Sequence, residues 1–495
     1  MGIGDRLAGA IRRWLRVEPA WSGGDNVRIR EQYTYETDAM RNRIWYRGDA
    51  DELRQFYSQT SSDSSSSRFW AAVPTGPSVR KLHSGLPAQI VDTLTGIVMG
   101  DYDGMNFPPN EKAAERTWQK LQEAISYPSA ISAGISETLT VGGGVWKICW
   151  NTVLSEYPYA VFVPEDHITY HTRNGIPCGL SIYSDHTTDG DTYQLEEVYE
   201  PGSIRYILRD NHGDSVSLDT VPELSDLRDT ELPDDLMAAV PLQVFASSRW
   251  PGRGRSIYAN KTDAFDALDE VISQWMDAIR NGRVIRYIPE DMIPRDKSTG
   301  ALSRMDSFGA DYVQLNPSMG GDSDKTGQIQ VTQPEIRYEA YLGSYKATVD
   351  MCLQGILSPA TLGINIAANS SGESQRERKD ATGFTRNAIT AVLETALPKL
   401  AVTLLRMYDW MSGRPIGEYH PSVSFGEYAA PDFATRVKAI READAAAAMS
   451  IEAKVDELYG GSKKQDWIDA EIARLKVEQG IADAGKLPSG EDDLP

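Results

Sequence analysis

The chain has 495 residues, 24% of them charged, with a formal net charge of −21 and a pI near 4.8. That length allows two to four domains and a sizeable core, while the acidity and the lack of a dominant basic patch exclude a protein built to grip nucleic acid phosphates tightly. The three cysteines (Cys149, Cys178 and Cys352) are far apart and odd in number, which excludes a paired-cysteine metal site and predicts buried free thiols in a reducing compartment.

Mean hydropathy is −0.41, with no run of 18 apolar residues, so no membrane-spanning helix is expected. The N-terminus lacks the apolar core of a signal peptide, and the expectation is a protein made and kept inside a cell. Residues 2–16 alternate apolar positions with arginines and predict a small basic amphipathic helix, read as a peripheral helix with snorkelling arginines.

Arg28 to about Tyr57 predicts a longer helix carrying Ile44, Trp45, Leu53 and Phe56, interrupted at Gly48. The serine-rich stretch 58–67 reads as a solvated loop. Further helices are expected over Leu82–Met99 and Glu111–Ile135. From Glu137 the pattern becomes strand-like, with runs at Val145–Trp150, Tyr159–Val163, Gly179–Tyr183, Leu195–Tyr199, Ser203–Leu208 and Gln243–Phe245. The triple glycine 142–144 precedes no Gly-Lys-Ser/Thr, so it reads as a hairpin turn and not a phosphate cradle. Residues 218–235 form an acidic, turn-rich connector.

The stretch from Gly254 to Trp410 organises the rest. A helix is expected from an N-cap at Ser256 to a glycine stop at Gly282, about 25 residues or nearly 40 Å of rod. Phe265, Leu268, Ile272, Trp275 and Ile279 recur on one face; Asp263, Asp266, Glu270 and Asp277 form a carboxylate stripe on another. Asp269 reads as a solvated surface residue. Strand-like pieces at Arg283–Ile288 and Tyr312–Leu315 form an insert, and a second helix runs from Pro334 to about Leu357. A small polar loop follows, and the charged run from Glu373 opens a helix reaching Trp410, kinked and not ended by Pro398. Pro421–Phe425 reads as a strand returning to the earlier domain, and the helices 433–449, 451–459 and 465–479 form a small C-terminal domain.

Catalytic chemistry is mostly missing. His167 and His171 have a metal-like spacing but lie in a strand-preferring run, where four residues span about 13 Å, too far to share an ion. There is no Gly-x-Ser-x-Gly elbow and no dinucleotide glycine fingerprint. No metal, no cofactor and no enzymatic activity are expected.

Several phrases together resemble the portal proteins of tailed bacteriophages, particularly the portal family of long-tailed phages of Gram-positive hosts. They are Asn42–Asp49, Leu357–Gly363, the run Ser370–Arg386, Met449–Val455 and Ile468–Arg474, in the expected order. The resemblance implies an α+β, helix-rich, ring-forming portal fold with wing, stem, clip and crown. On this chain that divides into an N-terminal segment 1–27, wing 28–254, stem helices 255–282 and 335–357, and clip 283–334. A channel loop, long helix and return strand span 358–429, followed by a crown over 430–487 and a frayed tail over 488–495.

It further implies a homo-dodecamer at one capsid vertex, assembled in the host cytoplasm and carried in the virion. Its partners would be the major capsid protein, the terminase large subunit, head–tail adaptor or connector proteins, and double-stranded DNA passing through weakly. The channel loop falls on Gly363, Ile364, Asn365, Ile366, Ala367, Ala368, Asn369, Ser370 and Ser371, small and amide residues that touch a duplex without an electrostatic grip. Arg376, Arg378 and Lys379 would pair between subunits or meet phosphates. Asp263, Asp266, Glu270 and Asp277 would line the channel and centre DNA by repulsion over about a Debye length, roughly 8–10 Å. A scaffolding ring without a DNA channel and a nucleic-acid-processing enzyme are the rival readings; the first lacks a use for the loop and the second lacks a metal or phosphate site.

Overall fold

A computed structural model of the chain describes residues 17–19, 28–30, 33–60, 68–72, 79–124, 126–151, 155–233, 235–282, 285–289, 311–315, 330–332, 335–364, 372–426, 433–446, 448–459, 465–478 and 480. The expected basic helix over residues 2–16 and most of the serine-rich loop lie outside them. Among the described residues helix predominates and strand is substantial, so the fold is mixed α and β. The chain divides into two units, Met1–Gly426 and Glu427–Pro495.

The first unit opens on a hairpin, β1 (Val17–Pro19) against β2 (Arg28–Arg30), so the helix expected from Arg28 starts later. Helix α1 (Tyr35–Arg47) begins where the Thr34 hydroxyl accepts the Thr37 N–H. It stops at Gly48, whose φ of 72° is the left-handed break, and α2 (Ala50–Thr60) follows. Helix α3 is Leu86–Gly100. The single helix expected over 111–135 is two, α4 (Lys112–Ala124) and α5 (Tyr127–Val141), divided at Ser126 with φ 49°. Pro128 in the first turn of α5 explains the division, because proline suits a helix start and not its interior.

The triple glycine is not a hairpin turn but a helix-to-strand junction. Gly142 caps α5 with φ 131°, and Gly143 begins β4 (Gly143–Cys149). A Cβ on Gly142 would lie 2.6 Å from the Gly254 carbonyl carbon, and one on Gly144 would lie 2.4 Å from the Phe162 ring. Close backbone approach therefore selects these glycines. β4 sits between β12 (Ala239–Gln243) and β5 (Tyr159–Pro164), both antiparallel.

A second sheet runs β10-β9-β8-β7-β6, with β11 (Thr230–Glu231) also on β9. Its strands are β6 (Ile168–Arg173), β7 (Ile176–Thr188), β8 (Asp191–Glu200), β9 (Ser203–Arg209) and β10 (Ser215–Val216). Asn174-Gly175 and Asp189-Gly190 close two of its hairpins with positive φ at both residues, the turn that matches strand twist.

Helix α6 (Thr262–Asn281) starts six residues after the expected N-cap. The Ser256 hydroxyl is used elsewhere: it donates to the Leu139 carbonyl and accepts the Tyr258 N–H, fastening this segment to the end of α5. The rod is therefore 20 residues, about 30 Å. Gly282 ends it with φ −74°, so the expected left-handed stop is absent; glycine is needed for space, because a Cβ would meet Ile336 at 2.7 Å. The insert holds β13 (Ile285–Pro289), parallel to β14 (Asp311–Leu315) and antiparallel to β15 (Gln330–Thr332). Helix α7 (Tyr338–Leu353) packs back on α6, with Trp275 and Tyr341 stacked at 6.2 Å and 7°.

After a 3-10 turn at Pro359–Leu362, α8 (Gly372–Met411) runs 40 residues and continues through Pro398. Its segment Ala381–Met411 is long and apolar enough, by length and composition, to cross a membrane, contrary to the sequence expectation. Ile389, Leu393, Leu397, Leu400 and Leu404 there are at most 1% exposed and belong to the main core, which accounts for the apolarity. Trp45, Trp118 and Trp146 anchor the same core. Strand β16 (Ser422–Phe425) returns to pair with β3 (Tyr102–Asn106). Arg386 on α8 is buried beside this pair and donates to Asp101 Oδ2 at 3.0 Å and to the Gly426 carbonyl.

The cysteines differ from expectation in one respect: Cys352 is buried and Cys149 half-buried, but Cys178 is exposed. The second unit holds α9 (Phe433–Ala445), α10 (Ile451–Tyr459) and α11 (Gln465–Glu478), with its own small core of Ile451, Val455 and Ile468.

Candidate functional site: the helical hairpin and the loop before the long helix

The four carboxylates of α6 do not share one environment. At about 100° per residue they fall within a narrow sector of the helix, yet residues 68–72 and 79–84 press on one edge of it, the side shared by Asp266, Asp269 and Ser273. Asp266 is 8% exposed, and its carboxylate accepts the backbone N–H of Phe69 at 2.8 Å and of Trp70 at 3.2 Å. Burial pushes its carboxyl above the ordinary range, against the pull of those two N–H groups. This corrects the expectation that Asp266 faces solvent in a channel stripe: residues 68–72 have no ladder partner at that point and take the carboxylate as their acceptor.

Asp269 corrects the sequence reading further. It is fully buried and accepts from Trp70 Nε1 at 3.1 Å and the Ser84 N–H at 2.8 Å, with His83 Nδ1 at 2.7 Å. Ser273 accepts the Leu82 N–H one turn on. Lys81 completes the clamp by donating to the carbonyls of Phe69, Trp70 and Ala72. Nothing local in the sequence signals these contacts, since the partners are nearly 200 positions apart.

Asp263, Glu270 and Asp277 remain on the outer side. Asp263 meets Arg68 at 2.8 Å with its own side chain 79% exposed. Glu270 accepts from Gln274, and Asp277 from Asn281, each at 2.8 Å within the helix. Large apolar side chains also stand exposed on the hairpin: Met276 (50%), Ile279 (45%), Tyr338 (56%) and Met351 (54%), joined by Phe384 (76%) on α8.

The residues leading into the loop before α8 are tied. Gly363 takes φ 70°, and the Ile364 N–H donates to the Pro359 carbonyl at 3.0 Å. Ile364 packs half-buried against the main core, so it anchors the loop and is not offered to solvent as expected. Asn365, Ile366, Ala367, Ala368, Asn369, Ser370 and Ser371 lie outside the described residues, as do the side chains of Arg376, Arg378 and Lys379 on the first turns of α8. Three hydroxyls that the sequence reading passed over fasten α8, beyond its opening turns, to residues 356–361. Thr382 Oγ1 accepts the Ser358 N–H at 2.9 Å and lies 3.0 Å from Thr361 Oγ1; Thr385 Oγ1 donates to the Ile356 carbonyl at 2.5 Å. Their signal was the cluster of small hydroxyl residues at helical spacing just after a charged run.

Among the described residues no group of three His, Cys, Asp or Glu side chains is placed to hold a metal ion. His171 instead lies 3.0 Å from the Ser181 hydroxyl within its sheet.

By structure the chain is similar to a chain in the virion of a native gene transfer agent (GTA) particle: 10% identity, 95% of this chain and 99% of that one covered, TM-score 0.36. It is also similar to chains from the neck of the native GTA particle computed with C12 symmetry (12% identity, 76% and 91% covered, TM-score 0.37). A chain from the neck of the empty GTA particle computed with C6 symmetry follows (13% identity, 76% and 90% covered, TM-score 0.36). No curated protein matches the sequence. The family model described as Phage portal protein, SPP1 Gp6-like matches residues 46–413, from α1 through the hairpin and the insert to the end of α8, and the chain belongs to that family.

Proposed function

We propose that this chain is the portal subunit of a long-tailed phage of a Gram-positive host: a non-enzymatic homo-dodecameric ring at one capsid vertex, through which DNA is packaged and ejected. Membership of the portal family across residues 46–413 carries the reading. The exposed Met276, Ile279, Tyr338 and Met351 on a helical hairpin support it, because such side chains gain by burial against a neighbouring subunit.

In this reading the α6–α7 hairpin is the stem, and the β13–β15 insert is the clip that docks the terminase large subunit and later the head–tail adaptor. Residues 28–254 and 358–429 form the wing, facing the major capsid protein, and 430–487 the crown. The loop 363–371 is the part that meets passing DNA, and Arg376, Arg378 and Lys379 pair between subunits at its base. Asp263, Glu270 and Asp277 remain candidates for channel lining, with Asp266 removed from that set. Pro398 would bend α8 within the wing. Subunits assemble in the host cytoplasm and remain in the virion.

Electron microscopy of the purified chain, with and without capsid protein, tests the proposal. End-on rings of about twelve subunits around a central hole are expected; compact monomers under both conditions would overturn it.

A further inference from the structure

The α6–α7 hairpin carries charge of opposite sign on its two outer edges. On the α6 edge, Arg80 and Arg280 flank a hollow of about 240 Å³ that Leu82, Ser273 and Met276 also line. Both arginines are exposed, and among the described residues neither has an acidic partner. Asp277, the carboxylate beside them, accepts from Asn281 at 2.8 Å. Two guanidinium groups around an apolar hollow suit a carboxylate carried on another helix.

On α7, Tyr341 and Tyr345 meet Trp275, which fixes the side turned to α6. At about 100° per residue Glu339, Gly343 and Asp350 fall on the opposite side, and all three are exposed. Glu335, also exposed, stands just ahead of the helix. Two basic residues are near. Arg337, the N-cap, stands about 160° round from Glu339, and Lys346 shares the outer side but is half-buried two turns further on. The tip of this edge is therefore acidic. Gly343 has no atom of its own chain within 4 Å of where a Cβ would stand. Glycine weakens a helix interior, and no contact in this chain calls for it, whereas close approach of another helix does.

The two edges match in height. Trp275 is level with Tyr341 and Gly282 with Ile336, so Arg280 and Glu339 stand within about one helical turn, roughly 5 Å, along the hairpin. The Leu82 N–H donates to Ser273, and Arg80 lies beyond Leu82 toward the tip, beside Met276 and Arg280. Rotation about an axis parallel to the hairpin preserves height. A neighbouring copy placed edge to edge thus brings its Glu339 opposite Arg80 and Arg280, and its Gly343 opposite Met276.

We propose that the α6 edge of one copy packs on the α7 edge of the next. Arg80 and Arg280 hold the neighbour's acidic α7 tip at Glu339, and Met276, 50% exposed in the single chain, seats over its Gly343. The contact is heterologous, so each copy uses a different edge toward each neighbour and the series closes as a ring. This rests on the ring reading above and specifies which surfaces meet.

The test uses two charge-reversed full-length chains, Arg80→Glu with Arg280→Glu, and Glu335→Arg with Glu339→Arg. All four positions are exposed, so each variant should keep the far-UV circular dichroism of the unaltered chain. Each variant alone sets like charges together at every contact. Electron microscopy, under conditions where the unaltered chain assembles, should then show at least about tenfold fewer rings. An equimolar mixture of the two should recover rings, because alternating copies place opposite charges at every contact of an even-numbered ring. Rings from either variant alone, or a mixture that stays unassembled, would overturn the pairing and leave the portal reading standing. An unaltered chain that forms no rings would overturn both.

Discussion

At Asp266 a carboxylate serves as the terminus of two backbone N–H groups in place of solvent. Replacing it with alanine leaves Phe69 and Trp70 N–H unpaired in a buried setting, and unfolding by urea should show a loss of about 1–3 kcal/mol. The same change at Asp263, whose pair with Arg68 is exposed, should stay within about 0.5 kcal/mol. Equal effects would mean that residues 68–72 do not depend on α6. The pH dependence has a definite sign. Because burial raises the Asp266 carboxyl from 3.8, the folded chain holds that proton more tightly than the unfolded one. Its contribution to stability is therefore fullest below the unfolded value and falls as pH rises through the folded value.

Glu452 behaves in the opposite way. Lys476 donates to it at 2.5 Å and, with nearby backbone and Ser450 donors, lowers its carboxyl from 4.5 to about 2. Its stabilising contribution is present above the unfolded value and is lost as pH falls through about 2. In Lys476→Met the Glu452 midpoint should move up toward 4.5, read by carboxyl carbon NMR; an unmoved midpoint would remove Lys476 as the cause.

Among the elements, two glycines make opposite predictions. Gly142→Ala combines a φ of 131° with a Cβ 2.6 Å from the Gly254 backbone, and no flexible side chain is available to yield. Loss of about 3 kcal/mol or more is expected, with the α5–β4 junction disrupted. Gly343→Ala lies inside α7 with nothing within 4 Å of the new methyl. It should stabilise the isolated chain by about 0.5–1 kcal/mol, since glycine in a helix interior forfeits that much. Thermal melts of the two variants compare them directly, and a destabilised Gly343→Ala would mean that α7 is not helical at that point.

On the scale of the whole molecule, the proposed ring separates assembly from DNA handling. Replacing Asn365–Ser371 with a shorter linker, which keeps the Ile364 anchor, should leave rings intact, because the hairpin surfaces are untouched, while lowering the yield of DNA-filled heads. Normal filled heads would remove the loop from the DNA path. Changing Asp263, Glu270 and Asp277 together to lysine should slow packaging by turning repulsion of phosphates into attraction. Packaging indifferent to that reversal would leave these residues as an ordinary solvated face.

Much of this fold could be read from local sequence because its determinants are local. The period of Phe265, Leu268 and Ile272 specifies α6, strand-like runs mark β13 and β14, Gly48 breaks α1 from α2, and α8 tolerates Pro398 because its apolar positions continue on both sides. The order of such phrases also sufficed to indicate the portal family. Of the candidate site, the outward positions of Asp263, Glu270 and Asp277 follow from helical spacing, but the inward turn of Asp266 and Asp269 does not. Ser256, a good N-cap by composition, was taken by Leu139, and the triple glycine became a junction because Gly254 presses on it. Periodicity determines which element forms and which residues share its face. Whether that face meets water, another backbone or a second hydroxyl depends on segments brought together from distant parts of the chain, and only the tertiary structure decides it.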